Sequence, residues 1–464
     1  MKIKLLPFLA VLAIVVAAVS PSPAYAQAYS TSFTTSITYQ NIGSGPAQIS
    51  LLFYPSPDTT DPIEITRPDL PAGASTSLFI GGLNDIPNNF RGSAILQANQ
   101  PILATLVQLP QNSTTVRNRP LSNGFLSGDS TSLIATVLKN NFETSTIFSV
   151  QNVGTSATTA TIRFYNTSAT EVHSMTVNIE PGAAYFVDAG QVSQLGSSFN
   201  GSVVVTSNGQ IISSAMELST TGPAASAFEG VGSGSTTFYM PSALCNAFGS
   251  NTSYAVQNTS LTESTNVTVT YSNGATETKT IGPGAKQSFI ACDATGMSAG
   301  FSGAATVTSD NTPVIAIGKA YGSGLSTAFV GASSGSNELA LPYVRWANDT
   351  NWNNGSQQRT FITIQNIGSS NLAAGDVVVE YIDKNGTVVG THSLPAIPAG
   401  GKVNSNASDA GLSEFGVYPD GSFGGGAIVR GPGGSQLAVV GRVSSLVGPG
   451  SFVSEDYNAM PIAP

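Results

Sequence analysis

Apolar residues alternate with Ser and Thr along most of this chain, in runs of about five to seven residues separated by Gly, Pro and Asn. Runs such as AILQA, VVVTS and ATVTS have the period of two that turns one face of a strand toward a core, and the residues between them are turn formers. No stretch sustains the 3.6-residue period of a capped helix. The segment with most helical content, AGQVSQLG, is short. The pattern predicts an all-β chain.

The pattern also repeats. Four segments align on a Gln-Asn pair: TTSITYQNIGSGPAQISLLFY, TSTIFSVQNVGTSATTATIRFY, SNTSYAVQNTSLTESTNVTVTY and QRTFITIQNIGSSNLAAGDVVVEY. The pairs Gln40-Asn41, Gln151-Asn152, Gln257-Asn258 and Gln365-Asn366 are 111, 106 and 108 residues apart. Such a period is the size of one compact unit. Later landmarks keep the phase: a proline-glycine turn at Pro71, Pro181, Pro283 and Pro398, then a Phe-x-Gly element at Phe90, Phe199, Phe301 and Phe423. A last apolar run closes each unit, PILATLV, QIISSAM, PVIAIGK and QLAVVGR.

About seven short strands per period predict an immunoglobulin-like β-sandwich. The expected organisation is residues 27–130, 131–234, 235–336 and 337–453 as four tandem sandwiches, with 454–464 as a C-terminal strand. No Pro/Ser-rich or charged spacer separates them, which predicts a stiff, elongated rod of end-to-end units.

The first half of each unit resembles the CARDB-type domains of bacterial surface proteins. The likeness lies in Asn41-Ile42-Gly43, Asn152-Val153-Gly154 and Asn366-Ile367-Gly368, each an Asn-x-Gly turn after one strand and before an Ala/Val/Thr-rich one. The third unit departs from it with Asn258-Thr259-Ser260, and the Phe-x-Gly half lies outside it. The resemblance implies an Ig-like fold and a role in surface adhesion or display, and brings no catalytic residues.

Residues 1–26 read as an export signal. Lys2 and Lys4 are followed by an apolar run from Leu5 to Val19 and by the small-x-small site Ala24-Tyr25-Ala26. The run is short for a membrane span and ends at Pro21 and Pro23, so cleavage before Gln27 is expected, with no transmembrane segment after it. With 17 basic and 26 acidic residues the net charge is −9, and losing Lys2 and Lys4 makes the exported chain more acidic. Nucleic acid is an improbable partner for such a chain. Charged residues make up 9% of the sequence while 41% is hydrophobic, a balance for a folded extracellular or cell-surface β-protein rather than a disordered one.

Candidate chemistry is sparse. Cys245 and Cys292, the sole cysteines, fall in one unit of an exported chain and are expected to form a disulfide. Gly331-Ala332-Ser333-Ser334-Gly335 matches a nucleophile elbow, yet His173 and His392 belong to other units, so no catalytic set is expected. Two histidines and two cysteines make no zinc set. Asp58, Asp61 and Asp69, or Asp383 beside Asn385, lack the spacing of a known calcium loop. No metal or cofactor is expected. Asn-x-Ser/Thr triplets at Asn112, Asn166, Asn200, Asn251, Asn266, Asn354 and Asn385 leave glycosylation open. Trp346 and Trp352 either stack on a sugar or wedge the third and fourth units together, the joint being favoured.

The expected function is structural: a secreted cell-surface protein, as a filament or sheath subunit, with an adhesin-like module for glycans or other cells as the alternative. A lead-in precedes the later units: Phe228-Glu229-Gly230 with Met240-Pro241, then Phe329-Val330-Gly331 with Leu341-Pro342. It recurs at the tail as Leu446-Val447-Gly448 with Met460-Pro461, where no unit follows, and the first unit lacks it. If the lead-in is the first strand of the unit it precedes, a tail strand carrying Tyr457, Met460, Pro461 and Ile462 can complete the first unit of a neighbour, giving head-to-tail self-association. If it closes the unit it follows, the tail folds back onto the fourth unit, and this assignment is favoured.

Overall fold

The computed structural model describes residues 31–56, 61–111, 116–322, 325–353, 358–448 and 451–462. The export signal, Asp58, Asn112, Asn354 and the side chain of Trp352 lie outside the described residues. The protein is all-β, with antiparallel sheets and, among the described residues, a single five-residue α-helix, Asp349–Asn353.

The third repeat shows the plan. One sheet runs Thr237–Cys245, Phe301–Ser309, Thr265–Tyr271, Thr276–Ile281, and the second runs Lys286–Ile290, Asn251–Asn258, Val314–Gly322, Leu325–Val330. Pro313 stands between Phe301–Ser309 and Val314–Gly322; it lacks an N–H for a ladder, so the two strands belong to different sheets. Pro101 sits at the same place in the first repeat, and Pro432 lies within the corresponding connection of the fourth. The second repeat has Asn208-Gly209-Gln210 there, and a single strand, Phe199–Ser219, runs through both halves of one continuous sheet.

The repeated Gln-Asn pair is a buried clasp. Asn41 Nδ2 donates to Gly45 O at 2.8 Å and Leu70 O at 2.9 Å, while its Oδ1 accepts from Gly43 N at 2.9 Å. Asn152, Asn258 and Asn366 make the same three bonds in their repeats. Each amide thus closes its own turn and ties that turn to the end of a second strand, satisfying backbone groups that burial would strand. The ladder starts at corresponding pairs: Asn41 with Ile102, Asn152 with Ile211, Asn258 with Val314, Asn366 with Leu437.

The chain is not an extended rod. The strand Asp129–Lys139 packs on Asn251–Asn258 and Val314–Gly322 of the third repeat, and Thr237–Cys245 packs on Gln358–Asn366 and Leu437–Gly448 of the fourth. The fourth repeat meets the first through Leu103, Ala340, Ile382, Ile428 and Met460. Every repeat lies sideways against the next, so after four of them the last reaches the first. Short joints do restrict the chain, but they set a turn and not a straight line.

The tail is paired within the chain. Ser451–Asn458 forms a hairpin with Leu437–Gly448, and Met460–Pro461 adds beside Glu338–Leu341 with Ala340 opposite Met460. Tyr457 is buried and its hydroxyl donates to Tyr343 O at 2.6 Å. The lead-in strands Asp129–Lys139, Thr237–Cys245 and Glu338–Leu341 pair with Phe199–Thr206, Phe301–Thr308 and Ala427–Arg430, in each case within the repeat they precede. So the lead-in is divided: Phe228-Glu229 and Phe329-Val330 close the repeat they follow, Met240 and Leu341 pair within the repeat they precede, and the tail folds back onto the fourth repeat.

Candidate functional site

Four corresponding strands, the outermost of the second sheet in each repeat, come together at the centre: β1 (Leu121–Asn123), β2 (Ala225–Glu229), β3 (Leu325–Val330) and β4 (Ser451–Asn458). β1 neighbours β2 and β4, and β3 neighbours β2 and β4, so the four close a ring. Asn123, Glu229, Val330 and Asn458 hold the same register position in their repeats, opposite Thr105, Ser214, Ile317 and Val440.

These corresponding residues bond to one another. Asn123 N–H donates to the Glu229 carboxylate, and Asn123 Nδ2 donates to Asn458 O at 2.8 Å. Asn458 Nδ2 donates to Val330 O at 2.7 Å while its Oδ1 accepts from Val330 N at 2.9 Å. Just before β1, the fully buried Asn118 reaches two further repeats, donating to Ser326 O at 3.1 Å and Ser454 O at 3.2 Å.

Charge in the junction is paired or neutralised. Asp456, 2% exposed, accepts two bonds of 2.7 Å from the Arg442 guanidinium and one of 2.7 Å from Thr327 of the third repeat. Its neighbour Glu455 accepts from Arg119 N at 2.6 Å, and burial pushes its carboxyl up to about 8. Burial likewise raises Glu229 to about 6. Between the second and third repeats, Lys319 Nζ lies 2.6 Å from Glu217 Oε2, and Thr136 donates to the same carboxylate. Burial, with the Lys319 cation next, lowers Lys286 there to about 7. At the joint of the fourth and first repeats the buried Arg345 donates to Val344 O at 2.8 Å and to Ser77 Oγ at 3.0 Å, and burial lowers its pKa. Every carboxylate in this set meets a donor from another repeat, and Asp456 and Glu217 are also held by Arg442 and Thr136 of their own repeats. The chemistry is that of a lock.

The sequence-derived candidates lie elsewhere. Cys245 and Cys292 form a disulfide that ties the end of Thr237–Cys245 to the turn Ala291–Asp293. Ser333 is exposed and leads into the strand Glu338–Leu341, with no helix behind it. Asp383 Oδ1 accepts from Asn385 N and Thr387 N, both at 2.9 Å, and shapes a turn. Trp346 contacts residues of its own repeat: Phe361 edge-on at 5.7 Å, the Arg359 guanidinium at 4.8 Å, and Phe415 through the backbone.

One grouping was not anticipated. His392 Nδ1 is 2.8 Å from Ser405 Oγ and 3.9 Å from Asp409 Oδ2. Both oxygens address the same ring nitrogen, whereas a proton relay needs one on each. Ser405 is fully buried and shares its hydroxyl with Tyr381 OH at 2.9 Å. The cluster ties two strands together. Among the described residues no group of three His, Cys, Asp or Glu side chains gathers as a metal site, and no helix is long and apolar enough to cross a membrane.

No family model matches the chain, and no curated protein matches it. Among solved structures it is similar to the crystal structure of Thermotoga maritima 1070, at 12% identity and a TM-score of 0.20, over 22% of this chain and 94% of that one.

Proposed function

We propose that this chain is a secreted, non-catalytic structural protein of the cell surface, in which four repeats act as one locked block. The observation that carries this reading is the central junction, where the Asn118 amide and the Glu455 carboxylate join strands more than three hundred residues apart in sequence. Such an arrangement resists local opening, because no repeat can leave without stranding buried polar groups of its neighbours. The disulfide supports an oxidising compartment, as does the export signal read at the N-terminus. Head-to-tail growth through Tyr457, Met460, Pro461 and Ile462 is disfavoured, since it would first break pairing with Leu437–Gly448 and Glu338–Leu341.

Fractionation of the source cells with an antibody to the chain tests the reading. Recovery at the surface or in the medium, as compact particles resistant to protease, is expected. Recovery in the cytoplasm overturns it. An adhesive role is favoured by one feature: Phe361, 39% exposed, beside Trp346 offers an aromatic platform of the kind sugars stack on. Glycan binding lost on Phe361→Ala would give that reading priority.

A further inference from the structure

Three repeats fill a position that, among the described residues, nothing fills in the first. In the second, third and fourth, the lead-in strand sits between two neighbours of its own repeat. On one side lie Phe199–Thr206, Phe301–Thr308 and Ala427–Arg430. On the other lie the segments that follow the central strands, where Val231 bridges Leu133, Ala332 bridges Tyr239 and Met460 pairs with Ala340. The counterparts in the first repeat are Gly92–Ala98 and the region of Phe125. Gly92–Ala98 ends a three-stranded sheet, and among the described residues no strand pairs with its far side.

The surroundings carry the mark of a missing strand on three sides. Gly92 to Leu96 are half-buried, while Val203, Val204 and Val205 in the second repeat are buried. Across the sandwich, Ile102, Ala104 and Leu106 are half-buried, while their counterparts Ile211, Ser213 and Ala215 are buried. The third wall belongs to the second repeat. Ile212 and Ser214 are half-buried, whereas their counterparts Ile315 and Ile317 of the third repeat, on a strand that Asp129–Lys139 packs against, are fully buried.

What fits is stated by the strands that fill the other positions. Leu133 to Val137 are buried on both faces, one toward their own core and one toward the next repeat, so the occupant must be apolar on both sides. The filling strands of the second and third repeats are 11 and 9 residues long. A chain cut before Gln27 keeps Gln27, Ala28, Tyr29 and Ser30 ahead of Thr31, too few to take the place.

We propose that this position is an acceptor for one extended strand of another polypeptide. The strand runs antiparallel to Gly92–Ala98, between it and the region of Phe125 with one face toward the second repeat, and carries about five consecutive uncharged, small or branched residues. The ladder supplies affinity, and the two apolar walls supply selection. The site stands apart from the cell-surface role, because it concerns the first two repeats wherever the exported chain resides.

The test uses residues 27–464 and a labelled synthetic peptide, DSTSLIATVLK, copied from Asp129–Lys139. Saturable one-to-one binding is expected, with slowed hydrogen exchange at Gly92–Ala98. A peptide with aspartate in place of the residues copied from Ile134 and Val137, both of which pair in the ladder of the second repeat, should not bind. Ile212→Glu, on a half-exposed wall, should weaken binding at least tenfold with thermal unfolding unchanged. Absence of binding, or binding indifferent to both changes, overturns the proposal. If the uncut chain refuses the peptide while 27–464 takes it, the position is confirmed as a strand acceptor that the leader had occupied.

Discussion

Asn118 and Ser454, 336 residues apart in the chain, are joined by a 3.2 Å hydrogen bond from a side-chain amide to a backbone carbonyl, and the same amide holds Ser326 O. Three repeats therefore meet at one fully buried residue. Asn118→Ala leaves both carbonyls without that donor in a dry junction, a loss of about 1–3 kcal/mol. Thermal unfolding at a lower temperature, with earlier proteolysis around Val116–Leu121, is the expected outcome. An unchanged melt would mean that the junction does not hold the ring.

The Glu217–Lys319 pair makes the second test, because its side chains are 7% and 19% exposed and Lys286 is close by. Glu217→Gln removes the anion that faces two lysines. Breaking such a pair costs about 3–5 kcal/mol, more than the intact pair contributes relative to an apolar replacement. The double variant Glu217→Leu with Lys319→Met should recover much of that loss. Chemical denaturation of the three proteins measures it; a double variant worse than Glu217→Gln would assign the pair a larger net role.

The disulfide closes a 47-residue separation in the third repeat alone. In the chain-entropy view it contributes roughly 3–4 kcal/mol. Because the third repeat shares one continuous core with the second, reduction should lower the melting of both together. Calorimetry with and without reductant reads this directly. A melt insensitive to reduction would mean that the shared core, and not the bond, limits unfolding.

How far the sequence discloses this architecture follows from which residues do which task. Strands and turns are legible because their signals are local: alternation around Ile37, Tyr39 and Ile49, Pro-x-Gly at Pro71, Asn-x-Gly at Asn41. Ring closure is not. Asn118, Glu217, Glu229 and Glu455 look like ordinary surface polar residues in a chain rich in them, and nothing local distinguishes one that is buried by a repeat three hundred residues away. The buried role of the Gln-Asn pair was equally hidden: its recurrence marks the phase, but the clasp is visible once Leu70, Ile179, Ile281 and Ile397 are seen to offer their carbonyls.

The same buried groups set a dependence on pH. Glu455 binds its proton up to about 8 in the folded chain, and Glu229 up to about 6, both far above an unfolded glutamate. A raised carboxyl means that the folded state holds more protons than the unfolded one between roughly pH 4.3 and the folded value. Stability from these two groups is therefore fully present in acid and falls as pH rises, through about 6 for Glu229 and about 8 for Glu455. Lys286 acts in the opposite sense. Its folded value is lowered to about 7, so above that pH the unfolded state holds the extra proton, and stability recovers toward the unfolded lysine value. The three together give a minimum near pH 7 to 8. Glu455→Gln should flatten the falling limb and leave the alkaline rise, while Lys286→Met should remove the rise and leave the fall. Denaturant midpoints from pH 5 to 9 for the two variants and the parent measure both limbs. A parent profile that climbs from pH 5 to 7 would show that Glu455 is ionised in the folded junction, and that its bond to Arg119 N holds a charge.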